Sequence, residues 1–201
     1  MTAPHDATIP GAFAPPTEPG APLSAWVRAV PDWPQSGVLF RDLTPLWADG
    51  GAWARCVAEL ARPFDAAPPE LVLGIEARGF IVAAALASRW GAGLLLARKP
   101  GKLPAAVQRE DYQLEYGTAA MESHRGLVRP GRRVLIADDV LATGGTAFAA
   151  LDLARGLGLT AAGFAFVLEI EPLGGRARIG DGIPIHAVIA YDAAGQARGN
   201  V

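Results

Sequence analysis

The stretch from Val134 to Thr146, VLIADDVLATGGT, constrains this chain more than any other. Val134 to Ala137 is a short apolar run of buried-strand character. Two adjacent carboxylates, Asp138 and Asp139, follow at once. Then come a small-residue turn, Ala142-Thr143-Gly144-Gly145-Thr146, and a helix-like segment from Ala147 to Leu157. A loop entering a helix presents unpaired backbone N–H groups and the positive end of the helix dipole, so it attracts a phosphate. Gly144 and Gly145 let the main chain approach the anion closely. Thr143 and Thr146 add hydroxyl donors, and Thr146 could cap the helix. The two aspartates stand where open α/β sheets place their ligands, at the carboxyl end of a strand, and they can accept hydrogen bonds from sugar hydroxyls. A P-loop would need a lysine after the glycines, and the dinucleotide fingerprint is only faintly echoed, at Gly156-Leu157-Gly158. An ordinary capped turn with two solvated aspartates fits the same short motif, so the acidic pair and glycines alone leave both readings open.

The rest of the chain supplies the sheet such a loop needs. Apolar stretches at 71–75, 93–97, 133–137 and 162–168, separated by helical segments, predict an α/β fold with a mainly parallel sheet. Pro184 to Ala190 reads as an added edge strand, and Gly174 to Gly182 as a polar, glycine-rich connector. A helix over Trp53 to Phe64 would bury Trp53, Val57, Leu60 and Phe64. A short helix is expected over Leu23 to Val30, with Ser24 as its cap. At 201 residues one domain is expected, over 23–201. Residues 1–22 hold six of the 17 prolines and no lysine or arginine. That tail reads as disordered and lacks the basic start of a targeting peptide.

Charge and cysteine content narrow the function classes. The net charge of −2 gives no reason to expect a nucleic-acid or membrane partner. No apolar run approaches the roughly 18 residues of a membrane span. The single cysteine, Cys56, and three scattered histidines support neither a disulfide framework nor a zinc site. A cytoplasmic protein is the expectation.

Two more loops have anion-binding character. Glu76-Ala77-Arg78-Gly79 follows the strand at 71–75 and opens an almost wholly apolar segment, Phe80 to Ala87. After the strand at 93–97 comes Arg98-Lys99-Pro100-Gly101-Lys102-Leu103-Pro104. The chain has 16 arginines and only two lysines, and both lysines lie in this turn. A compact ammonium is a good point charge for phosphate, although a solvated turn would look the same. Pro104 to Tyr112 shows no clear periodicity and reads as a flexible loop leading into Leu114-Glu115-Tyr116-Gly117.

These motifs together resemble the type I phosphoribosyltransferases, which bind 5-phosphoribosyl-1-pyrophosphate (PRPP). VPDWPQSGVLFRDLTPL, Val30 to Leu46, resembles the purine-binding segment of the adenine phosphoribosyltransferase family almost residue for residue. The resemblance implies a mainly parallel twisted sheet flanked by helices, a small N-terminal hood at about 30–46 and a mobile loop at about 99–117. It implies that Phe40 stacks on the base, with main-chain contacts from Leu39 and Arg41. Val140, where the family often has leucine, would form the opposite wall. Asp138 and Asp139 would hold the ribose hydroxyls, and Ala142, Thr143, Gly144, Gly145 and Thr146 the 5′-phosphate. Arg78, Arg98 and Lys102 would meet the pyrophosphate, with a cis Ala77–Arg78 bond in the first of these loops. The family's arginine at Arg98 commonly reaches into the neighbouring subunit's site, so a homodimer is implied. Glu115 would be the acid/base group facing the purine imidazole ring, and Tyr116 a closure or ribose contact. Mg²⁺ would accompany the pyrophosphate, bridged by water to the acidic pair. The implied activity is attack of adenine on PRPP, giving AMP and pyrophosphate in purine salvage. Transfer to hypoxanthine, guanine or xanthine, and a PRPP-sensing regulator without catalysis, are the alternatives; the hood and the LEYG match favour adenine and catalysis.

Overall fold

A computed structural model of the chain describes residues 13–18, 20–114 and 117–199. The described chain divides after Ala54 into two compact units.

In the first unit, a 3-10 turn at Leu23–Trp26 leads into β1 (Arg28–Pro31), which pairs antiparallel with β2 (Leu39–Asp42) so that Val30 faces Phe40 across the ladder. The helix expected over Leu23 to Val30 therefore ends at Trp26. β-branched Val27 and Val30 favour extended backbone, and Pro31 would remove a helical donor. Ser24 is not its cap; Pro22 holds that position without a side-chain bond. An ion pair between Arg28 and Asp42, 2.6 Å, closes the far end of the ribbon. The turn between the strands carries a cis Trp33–Pro34 bond, and Asp32 Oδ1 accepts the Gly37 N–H at 2.7 Å. Helix α1 (Thr44–Ala48) follows, then α2 (Gly50–Ala61), which carries the chain into the second unit.

Ala52, Cys56, Leu60 and Ala61 are the buried positions of α2, with Phe64 buried in the 3-10 turn Arg62–Phe64 that follows. Trp53 and Val57 are only partly buried. Leu60 and Phe64 are buried as expected, but in the first two turns the stripe is displaced by one residue, to Ala52 and Cys56. Small side chains at 52 and 56 permit close approach, while the bulky Trp53 stays at the rim.

The second unit contains β3 (Leu71–Ile75), α3 (Gly79–Trp90), β4 (Gly93–Ala97), β5 (Val107–Leu114), β6 (Gly117–His124), β7 (Arg133–Leu141), α4 (Gly145–Gly156), β8 (Thr160–Ile170), α5 (Gly175–Ile179), β9 (Ile185–Tyr191) and β10 (Ala197–Arg198). Six of these strands form one sheet in the order β10-β9-β8-β7-β3-β4. All neighbours run parallel except β10 with β9. The segment at 184–190 is accordingly one place in from the edge, because the short β10 covers it. From the β3/β7 pair the chain winds outward in both directions, to β4 on one side and to β8 and β9 on the other. That makes β3/β7 the switch point, where open parallel sheets form a ligand crevice.

The period-2 alternation of β3 separates the two helices. Leu71, Leu73 and Ile75 share a buried cluster with Ala147, Ala150, Leu151 and Ala154 of α4. Gly74, on the other face, leaves no room for a Cβ beside Ala83 of α3, which would lie 2.7 Å away. Helices therefore cover both faces of a sheet whose central strand β3 is apolar throughout, as parallel sheets require. Phe164 and Phe166 of β8, two residues apart on one face, stack with centroids 6.0 Å apart in the same cluster.

The segment read as a flexible loop, Pro104 to Tyr112, also differs from its sequence reading in kind. Val107 to Leu114 is a strand paired with β6 along its whole length. Its residues are polar on both faces, VQREDYQL, which hid the alternation that marks a strand.

Candidate active site

The acidic pair lies where one strand outruns its neighbour. β3 follows β7 only as far as the Gly74–Ala137 pair, whereas β8 follows it to Leu141–Glu169. Asp138 and Asp139 are thus within β7, on a segment bonded on one side and open on the other. The N-terminus of α3 closes over that opening. A Cβ on Gly79 would stand 2.6 Å from Asp138 Oδ1 and 2.9 Å from the Ala137 carbonyl oxygen, so only glycine fits. The residue before it, Arg78, sends its Nε to Asp139 Oδ2 at 2.6 Å. Asp139 is 4 % exposed, and its own N–H donates to Asp138 Oδ1 at 2.9 Å.

Burial, together with the neighbouring Asp139 charge, pushes the Asp138 carboxyl well above the usual carboxylate range. Burial also raises Asp139, but the Arg78 guanidinium works against that shift. Two carboxylates this close titrate as a pair. Because Arg78 sits on Asp139, the guanidinium favours the charged form of Asp139 over that of Asp138.

Beyond the pair, Asp138 and Val140 to Ala147 line one cavity. Gly144, with φ +78°, caps α4 by its backbone alone, and its carbonyl accepts the Phe148 N–H at 2.9 Å. Thr146 is therefore inside the helix rather than its cap. The first-turn N–H groups have no partner within the helix, and the residues that carry them line the cavity, an arrangement that suits an oxyanion. The loop is backed by α5. A Cβ on Gly144 would meet the Gly175 carbonyl oxygen at 2.6 Å, and one on Gly175 would strike the Ala142 carbonyl oxygen. Arg176 holds α5 in place through a two-pronged bond to Glu169 Oε1 and Oε2, 2.9 and 2.8 Å, a carboxylate only 4 % exposed. The segment expected to be a polar connector thus props up the loop before α4.

A second cavity adjoins the first and shares Thr146 with it. Glu76, Ala97, Arg98, Lys99, Tyr112 and Met121 are among its walls. Arg98 lies here against its own chain: its Nη2 is 3.2 Å from Glu76 Oε1 and its Nη1 donates to the Lys102 carbonyl at 3.0 Å. Glu76 Oε2 also accepts the Lys99 N–H at 2.8 Å. Burial pushes the Glu76 carboxyl up, but the Lys99 N–H and the Arg98 guanidinium outweigh it and hold the group below the usual range. The loop before α3 contains a cis peptide bond at Glu76–Ala77, one residue earlier than the expected Ala77–Arg78.

Arg78, Arg98, Lys102, Asp138, Asp139, Val140 and Ala142 to Thr146 all stand at the carboxyl ends of β3, β4 and β7. Leu39, Phe40 and Arg41 belong to the first unit. There the Phe40 ring meets Trp33 edge-on, centroids 4.3 Å apart at 61°, and Leu39 is 49 % exposed. Glu115 and Tyr116 lie outside the described residues; the strands that lead to them, β5 and β6, form a hairpin whose Tyr112 and Met121 pack into the α4 cluster. Among the described residues no group of three or more His, Cys, Asp or Glu side chains could hold a metal ion. No described helix is long and apolar enough to cross a membrane.

Sequence reasoning missed three supports: Glu76, Gly79 and Gly175. The sequence signal for Gly79 was its place directly after Arg78 at a strand-to-helix turn. Nothing local marked Glu76 or Gly175, whose partners lie more than 20 residues away.

The family model for the phosphoribosyl transferase domain matches residues 52–178. The adenine phosphoribosyltransferase of Sorangium cellulosum (strain So ce56) is 52% identical over 85% of this chain and 88% of its own. That of Saccharopolyspora erythraea is 50% identical over 83% of this chain and 89% of its own. Among solved structures, adenine phosphoribosyltransferase from Rhodothermus marinus superposes with a TM-score of 0.80 at 42% identity, covering 84% of this chain and 96% of that one. The enzyme from Saccharomyces cerevisiae, crystallised with adenine and an imino-altritol bisphosphate, gives 0.77 at 31% identity, over 82% and 95%. Switch-point acids, an amide cradle for phosphate and this similarity over most of the chain agree: the chain belongs to the phosphoribosyltransferase family, among the adenine phosphoribosyltransferases.

Proposed function

We propose that this protein transfers the phosphoribosyl group of PRPP to adenine, forming AMP and pyrophosphate. The observation that carries this reading is the switch-point crevice itself. It sets acceptors (Asp138, Asp139) beside bare helix-terminal amides (Ala142 to Thr146) and a turn rich in cations (Arg98, Lys99, Lys102). That sequence of groups suits a ribose, its 5′-phosphate and its pyrophosphate in that order. The reading for the base draws on the relatives of about half identity and on the likeness of Val30 to Leu46 to the family's purine-binding segment.

Adenine N9 forms the new bond to C1′ as the C1′–oxygen bond breaks, and the electron pair leaves on pyrophosphate. The base sheds its imidazole proton, with Glu115 as the acid/base group facing that ring. Positive charge on the ribose and negative charge on the leaving group grow together, so fixed donors aimed at the pyrophosphate lower the barrier. Arg78, Lys102 and Arg98 from a partner subunit fill that role, and in the free protein Arg78 is stored on Asp139. Tyr116 and the segment around it exclude water from the cationic sugar centre. For the base the assigned roles are stacking for Phe40, main-chain contacts for Leu39 and Arg41, and an apolar contact for Val140.

The donor set suits magnesium. Among the described residues the two adjacent carboxylates have no third acidic ligand and do not make a protein cage, but Mg²⁺ keeps several waters and binds through one or two carboxylates and substrate phosphates. Asp138 and Asp139 would hold it through water, and when bound it supplies charge neutralisation at the pyrophosphate. A cytoplasmic homodimer completes the reading.

The test is a base panel: adenine, hypoxanthine, guanine and xanthine, each with PRPP and Mg²⁺, following nucleotide formation. Adenine alone should be used efficiently; an equal or better rate with another purine would replace this reading. Glu115→Gln should lower turnover by about 10²- to 10⁴-fold with PRPP binding largely kept. Unchanged turnover would remove Glu115 from the acid/base role.

A further inference from the structure

Glu122 is a buried carboxylate that no part of the proposed reaction uses. It stands on β6 at the base of the hairpin that leads to Glu115, and it is 8 % exposed. Burying a carboxylate is costly unless it is bonded. Its Oε2 accepts the Gly101 N–H at 2.9 Å, and Oε1 lies 3.8 Å from Arg109 Nη1. Gly101 has φ +73° and is the bend of the basic turn, with Lys99 before it and Lys102 after it. The main chain of Glu122 makes a second, reciprocal connection to the same turn: its N–H donates to the Arg98 carbonyl at 2.7 Å and its carbonyl accepts the Arg98 N–H at 2.8 Å. One residue of the hairpin thus grips the cationic turn at both its start and its bend.

The geometry points to Glu122 as a positioning residue, which fixes the Arg98–Lys102 turn to β6 and so holds the leaving-group cations in place. This rests on the reading that the turn binds pyrophosphate. A turn with positive φ at its bend has many alternative shapes when its amide is released to water. Lys102, one residue on, would then lose its fixed position. The 5′-phosphate cradle, built on α4 and α5, has no bond to Glu122 and stays as it is. The other end of the hairpin base is tied as well, His124 Nε2 lying 2.7 Å from the Pro104 carbonyl oxygen, so the strand pairing does not depend on the Glu122 side chain.

The experiment measures pyrophosphate binding with Mg²⁺ by titration calorimetry, AMP binding by the same method, and the KM for PRPP against kcat. The variants are E122A, E122D, E122Q and K102A, each checked by thermal unfolding. E122A and E122D, which remove or withdraw the acceptor, should weaken pyrophosphate binding and raise the PRPP KM by about tenfold or more, the scale of a hydrogen bond to a charged group. AMP affinity should stay within about twofold. E122Q keeps an oxygen for the Gly101 N–H and should restore pyrophosphate affinity to within about threefold. Because E122D is near in size to the native residue and also withdraws the acceptor, it carries the test should E122A not fold. If K102A weakens pyrophosphate binding while E122A and E122D do not, the inference is overturned. If K102A itself leaves pyrophosphate binding unchanged, the turn is not the pyrophosphate site, and the reading beneath the inference falls with it.

Discussion

Gly79→Ala should damage the site far more than the fold. The new Cβ would lie 2.6 Å from Asp138 Oδ1, 2.9 Å from the Ala137 carbonyl oxygen and 3.0 Å from Asp138 Cα. Two of those three atoms are backbone of a strand bonded to its neighbours, so relief must come from the loop carrying Arg78 or from the Asp138 carboxylate. Overpacking of this kind costs about 1–3 kcal/mol. Alanine in the first turn of a helix returns up to about 1 kcal/mol relative to glycine. The net loss is about 0–2 kcal/mol, a drop of roughly 0–8 °C in Tm for a chain of this length. A misplacement near 1 Å in a reacting constellation, however, costs on the order of 10²-fold in rate. Differential scanning fluorimetry and steady-state kinetics with PRPP measure the two effects side by side. Gly91→Ala serves as the control: Gly91 has φ +63° at the end of α3 and open space around its Cβ position. There alanine costs about 1–2 kcal/mol from backbone strain alone and should leave kcat/KM unchanged. Wild-type kcat/KM in Gly79→Ala, or equal kinetic losses in both variants, would refute the assignment of Gly79 to the close approach between Arg78 and Asp138.

Asp138→Asn separates stability from binding. The native carboxyl titrates well above the unfolded value of about 3.9, so the folded state holds the extra proton and stability falls as pH rises from about 4 through the raised value. The asparagine variant lacks that loss and should unfold at a higher temperature than wild type near pH 8, while the two converge towards pH 4 and PRPP binding weakens. Parallel Tm-versus-pH curves would contradict the assignment. Cys56 is wholly buried, and burial with the Glu59 charge pushes its thiol up to about 12. It should resist Ellman's reagent in the native protein and react only on unfolding; rapid native labelling would contradict the buried placement.

Much of this site is written in local sequence because the physics that makes it is local. A buried strand, an acidic pair and a glycine turn into a helix occupy thirteen consecutive residues, and each step follows from short-range chemistry. Apolar runs located β3 and β4 to the residue for the same reason: a short continuous apolar run bounded by turn residues marks a strand without alternation. What stayed hidden depends on distance or on a mixed pattern. β5 carries polar residues on both faces, so its pairing with β6 could not be read. The one-residue displacement in the first two turns of the α2 stripe depended on steric room for Ala52 and Cys56 rather than on hydrophobicity. The tie between Glu76 and Arg98 spans 22 residues, and the propping of Ala142 and Gly144 by Gly175 more than 30. Resemblance put a role on Arg78, and the ion pair with Asp139 at 2.6 Å adds what it could not: where that guanidinium rests before substrate arrives.

The most direct measurement is a crystal structure of the protein grown with AMP. The 5′-phosphate should lie against the amides of Ala142 to Thr146, with the ribose hydroxyls on Asp138 and Asp139 and Arg78 drawn off Asp139. A nucleotide bound elsewhere, with the loop empty and the Arg78–Asp139 pair intact, would contradict the placement of the sugar phosphate at the β3/β7 switch point.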